Sequence, residues 1–135
     1  MIFLFFLTDL IMQYQNRFPI YRDTTRLVME IEQMVAKFPR YHKYALGSEM
    51  RTTAYDLLIA ITYSINNKAT RRQSVKKAHN LSEVLKIKIH LAKNITNLSF
   101  KLFEILATLT ISISKQCKAW QKQLQRSRLN EGNYA

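Results

Sequence analysis

The stretch Asn66–Lys101, NNKATRRQSVKKAHNLSEVLKIKIHLAKNITNLSFK, carries nine Lys or Arg and one acid, Glu83. Six of its polar side chains share one register, with spacings of 4, 3, 4, 3, 4: Arg72, Lys76, His79, Glu83, Lys86 and His90. That rhythm stacks side chains along one face of an α-helix, and Lys93 continues it. The spacing predicts a helix from about Thr70 to Lys93 or Asn94, with a mostly cationic stripe. Opposite the stripe, Ala78, Leu81, Val84, Leu85, Ile89 and Ala92 are expected to face the core. Lys77 and Lys88 project toward that apolar side, where their stems can run past the core edge.

Working outward, the same period recurs on both sides. Downstream, Asn97-Leu98-Ser99 is a break with Ser99 as an N-cap candidate. Phe103, Leu106, Thr110, Ile113, Cys117, Trp120 and Leu124 then follow a 3, 4, 3, 4, 3, 4 rhythm, the seam pattern of bundle packing. Lys115, Lys118, Lys122 and Arg126 lie on the other side of that helix. Upstream, Leu46, Met50, Leu57, Ile61 and Ile65 form one apolar side, ending at Asn66-Asn67-Lys68. Gly47 stands there either for close helix approach or before a helix start capped by Ser48. Further upstream, Leu27, Ile31, Met34 and Val35 form a stripe that Asp23 is expected to cap. That helix should stop near Lys37, since Phe38 precedes Pro39. Pro39 suits the first turn of the next helix.

Four amphipathic segments with short connections predict an all-α fold, an antiparallel up-down-up-down four-helix bundle. Two Gly and two Pro among 135 residues agree with few turns. The expected organisation is a bundle at 18–126, an N-terminal extension at 1–17 and a polar, frayed tail at 127–135. The leader Met1–Met12, MIFLFFLTDLIM, has no basic segment or cleavage motif and is interrupted by Asp9. It falls short of the ~20 residues of a membrane span. A loose apolar arm, or translation from Met12, is the expectation, and no membrane association.

The net charge of +12 points to a polyanion, and nucleic acid is the commonest long one. One cysteine, Cys117, excludes an intramolecular disulfide and a tetrathiolate zinc site, in keeping with a reducing cytoplasm. Cys117 reads as a small seam hydrophobe. The sequence carries no Gly-rich phosphate loop, Gly-x-Ser-x-Gly or His-Glu-x-x-His, and nine acids are thinly spread. Asp56 and Glu49 read as surface acids near Arg51. No catalytic residue, metal or cofactor is therefore assigned. Tyr41, Tyr44 and Tyr55 interleave with Arg40, His42, Lys43 and Arg51; they read as half-buried packing residues, with base stacking as the other reading. The candidate nucleic-acid contacts are Arg71, Arg72, Lys76, His79, Lys86, His90, Lys93, Lys115, Lys118 and Lys122. Glu83 is expected to pair with Lys86 or Lys76.

Tyr21-Arg22-Asp23, Lys37-Phe38-Pro39-Arg40, Lys43-Tyr44-Ala45-Leu46-Gly47, Leu91-Ala92-Lys93 and the late Trp120 occur in that order. This resembles the accessory variability determinant (Avd) proteins of diversity-generating retroelements over roughly Phe18–Leu124. It is also similar to their relatives encoded in intervening sequences of bacterial ribosomal RNA genes. The resemblance implies a basic, non-enzymatic four-helix bundle that forms homopentamers. It further implies binding to nucleic acid, RNA or DNA, and to the reverse transcriptase, in support of mutagenic cDNA synthesis. The alternative is the ribosomal-RNA-gene type, a protein- or RNA-interaction module. Two departures stand out: His90 where the family often has Arg, and Gln116-Cys117-Lys118-Ala119 where it often has a Gly-rich turn before the Trp.

Overall fold

The computed structural model describes residues 2–133, and every regular element among them is helical. In chain order these are α1 (Ile2–Gln15), α2 (Pro19–Ala36), the single turn α3 (Arg40–His42), a π-helical turn (Lys43–Gly47), α4 (Ser48–Asn66), α5 (Arg71–Thr96) and α6 (Phe100–Asn133). α2 packs against α4 and α6, α4 against α5, and α5 against α6. The core they share includes Leu27, Ile31, Met50, Leu57, Ile61, Leu85, Ile89, Leu106 and Ile113, all fully buried. The leader expected as a loose arm is helical, and Ile2, Phe3, Phe5, Phe6 and Leu10 of α1 are exposed. From Ser127 the expected frayed tail instead continues α6 to Asn133; its last two residues lie outside the described ones.

Asp23 does not cap α2. The helix starts a turn earlier, with Phe18 at the N-cap and Pro19 in the first position. Proline is suited there because its fixed φ is helical and its missing N–H had no partner to lose. Asp23 lies inside the helix and accepts a hydrogen bond from Gln116 Nε2 at 2.9 Å, tying α2 to α6. The buried Thr24 hydroxyl donates to the Ile20 carbonyl at 2.7 Å, and no buried side-chain nitrogen or oxygen among the described residues lacks a partner.

The end of α5 and the start of α6 follow the sequence closely. Asn97 closes α5 with φ 53°, a left-handed conformation that asparagine tolerates better than most residues. Ser99 Oγ accepts the Leu102 amide at 3.3 Å and caps α6. Cys117 is fully buried, and burial pushes its thiol up to about 12, which keeps it an inert hydrophobe.

Gly47 resolves in favour of close approach. Its backbone is helical, φ −59° and ψ −45°, so the chain runs from the π turn into α4 without a cap at Ser48. A Cβ at this position would lie 2.7 Å from Val35 Cγ1, 3.1 Å from the His42 carbonyl oxygen and 3.3 Å from Phe38 Cδ2. The glycine thus lets the π turn press against the end of α2. Helix propensity alone would make Gly47→Ala stabilising by about 1 kcal/mol. Overpacking against a buried, β-branched neighbour costs about 1–3 kcal/mol. Gly47→Ala is therefore expected to lower the unfolding free energy by about 1 kcal/mol in urea titrations. Made in a Val35→Ala background, the same substitution should become neutral or stabilising.

Candidate nucleic-acid interface

The buried face of α5 is Val75, Ala78, Ser82, Leu85, Ile89 and Ala92. Lys76, His79, Glu83, Lys86, His90 and Lys93 each follow one of these by a single position. One residue is about 100° of rotation on a helix. The stripe therefore flanks the core and lies along the seam with α6, where the sequence reading placed it opposite the core. Val84, expected in the core, is 42% exposed and shares the outward face with Lys77, Ile87 and Leu91. Lys88, on the other flank, meets α4, where its Nζ donates to Thr53 Oγ1 at 3.0 Å.

The seam sorts the candidate cations by what they already do. Arg71 is engaged with the backbone: Nε donates to the Ser64 carbonyl at 2.6 Å and Nη2 to the Ile65 carbonyl at 3.1 Å. These bonds satisfy two carbonyls in the last turn of α4. Lys93 Nζ lies 4.4 Å from the centroid of the Phe103 ring and 5.5 Å from that of Phe100. His90 meets Phe103 edge-on, with centroids 5.1 Å apart. Lys86 Nζ is 2.8 Å from Glu83 Oε1, and His79 Nε2 is 3.8 Å from the same oxygen.

Arg72 and Lys76 are exposed and line a cleft of about 390 Å³ with Gln121, Leu124, Gln125 and Arg128. On α6, Ser114, Lys118, Gln121, Gln125 and Arg128 share a 4, 3, 4, 3 register. Gln125 and Arg128 are not among the contacts expected from sequence: Gln125 lies at the end of the expected bundle and Arg128 in the expected tail. Extending the α6 register beyond Leu124 is the signal that finds them. Lys115 and Lys122 are exposed one position further round. Tyr41 and Tyr44, expected to be half-buried, are 79% and 74% exposed. Arg51 pairs with Glu32 at 2.8 Å, while Glu49 lies 3.9 Å from Lys88. No group of three His, Cys, Asp or Glu could hold a metal among the described residues, and no helix among them is long and apolar enough to cross a membrane.

Glu83 is the acid on which the middle of the seam converges. It accepts from Lys86 and, across the seam, from Ser114 Oγ at 2.5 Å. The Lys86 bond first, and the Ser114 bond second, hold its carboxyl below the usual carboxylate range. Its contribution is present above the unfolded value of about 4.3 and is lost as pH falls through the lower folded value. The midpoint of thermal unfolding should therefore drop on acidification below about pH 4.3. Glu83→Gln should remove part of that drop, as read by circular dichroism across a pH series.

No curated protein matches the chain significantly. A family profile described as bAvd-like matches residues 18–124. That segment runs from the N-cap of α2 to the cleft-lining Leu124 of α6, and so spans every helix that contributes to the seam. The chain belongs to the bAvd-like family, whose members are Avd-type accessory proteins.

Proposed function

We propose that this protein is a non-enzymatic accessory subunit of a diversity-generating retroelement. In this reading it is a cytoplasmic, antiparallel up-down-up-down four-helix bundle formed by α2, α4, α5 and α6. It binds nucleic acid and the reverse transcriptase to support mutagenic cDNA synthesis. The single observation that carries the reading is the α5–α6 seam, where Arg72, Lys76 and Arg128 line one cleft and the exposed Lys118 shares the α6 register of Arg128. The family membership supports the same assignment. Cations along a helical seam contact phosphates and position the strand without reading its sequence. Lys115 and Lys122 strengthen the surrounding field.

Two apolar faces support self-assembly. Val84, Ile87, Leu91 and Ile95 are exposed on α5, and Tyr55, Ile59 and Tyr63 on α4. Different faces that meet between neighbouring copies make a heterologous contact, and such contacts form a ring when the rotation between copies closes. A homopentamer is the ring size the family resemblance implies. It would repeat the cationic seam around one axis and multiply its field.

Binding is expected to show little sequence preference and a steep loss with salt. The log–log slope should contribute about −0.7 per neutralised phosphate on single strands and about −0.9 on duplex DNA. Fluorescence anisotropy over a salt series measures this, and a salt-independent affinity contradicts the reading. Pull-down of the reverse transcriptase after nuclease treatment separates direct protein contact from bridging by nucleic acid. For the assembly, Ile87→Glu combined with Leu91→Glu should yield monomers by light scattering while the helical circular dichroism signal is kept.

A further inference from the structure

We propose that the cleft between the start of α5 and the far end of α6 is the principal phosphodiester-binding subsite, completed by Arg128 and Gln125. The proposal rests on the nucleic-acid reading above and narrows a long seam to one place. Arg72 and Lys76 enter the cleft from α5, and Gln121, Leu124, Gln125 and Arg128 from α6. Gln125 and Arg128 lie past the segment matched by the family profile, while Arg72, Lys76, Gln121 and Leu124 lie within it.

The charge distribution along the seam selects this cleft. Lys86 is bound to Glu83, Lys93 lies over two phenylalanine rings, and Arg71 donates to α4 carbonyls. Three cations line the cleft and no acid does. None of the three forms an ion pair within 4.0 Å among the described residues. The acid nearest in sequence, Glu131, lies three positions beyond Arg128 and outside the lining. Three like charges around an open cleft repel one another, and a bound phosphodiester offsets part of that repulsion.

The donor set also fits the ligand. Two guanidinium groups present forked donors that match non-bridging phosphate oxygens, and the lysine adds a point charge. The Gln121 and Gln125 amides supply neutral donors and acceptors for the flanking backbone atoms. A cleft of about 390 Å³ accommodates a phosphodiester with its flanking sugar atoms rather than a whole duplex groove.

The test uses the full chain and fluorescein-labelled single-stranded RNA and DNA of one sequence, with the fold of each variant checked by circular dichroism. Arg128→Gln should weaken binding about fivefold at about 0.1 M salt and make the salt slope shallower by about 0.7. Arg72→Gln with Lys76→Gln should weaken it further, and adding Arg128→Gln to that pair should cost less than it does alone. Arg126→Gln, an exposed α6 cation outside the cleft, is the control and should have the smaller effect. Equal losses on RNA and DNA support a phosphodiester site. A loss confined to RNA overturns it, because the site would then read the 2′-hydroxyl. If the native chain binds both strands and Arg128→Gln binds as tightly as native or as Arg126→Gln, the subsite falls and the nucleic-acid reading stands. If the native chain binds neither, the nucleic-acid reading falls and takes the subsite with it.

Discussion

The packing of α5 against α6 is the constraint on which the rest depends. Both helices present a buried seam at alternating spacings of three and four, from Val75 to Ala92 on one and from Leu106 to Cys117 on the other. A side chain one position past a seam residue must emerge at the seam's edge. The cationic register of α5 is placed in this way, and no feature of the charges themselves is needed to place it. Rotating α5 to hide or spread the stripe would expose Leu85 and Ile89, each worth about 1.5–3 kcal/mol of burial. The location of the charges is therefore held by the core.

The helical class, the period of the helices and the Ser99 cap of α6 were legible in the sequence, because each is a local pattern. What was illegible depended on chemistry with two local solutions. An acid near the start of an apolar stripe, such as Asp23, reads the same as an N-cap or as an intrahelical acceptor. Gln116, 93 positions away, decides between them. Arg71 looks like one more basic residue until the last carbonyls of α4 are brought within reach. Gly47 could start a helix or permit contact, and only the nearness of Val35 selects.

The core face of α5 was misjudged for a different reason. Val84 is apolar and Ser82 is small and polar, so hydropathy alone assigns Val84 to the interior. The structure buries Ser82, whose hydroxyl is satisfied by the His79 carbonyl at 2.6 Å, and exposes Val84. Strict 3, 4 spacing from Leu85 and Ala78 selects position 82 and rejects 84. Period was a better guide than polarity here, because a serine that bonds its own helix costs little to bury. The exposed Val84 then joins Ile87 and Leu91 on a face that hydropathy would have counted as core.

Glu83 shows how a cationic seam can remain folded. A helix edge with six basic or potentially basic groups repels itself, and repulsion of that kind opposes the approach of α6 with its own lysines. Placing one carboxylate at the midpoint draws Lys86 and His79 inward and lets Ser114 bond across the interface. The acid thus fastens the middle of the two helices while pairing with Lys86. At one end Lys93 is absorbed by Phe100 and Phe103. At the other end, where α5 begins and α6 runs on, cations from both helices face a cleft that no acid lines. Stability of the seam and concentration of its field at one end follow from the same placement of one residue.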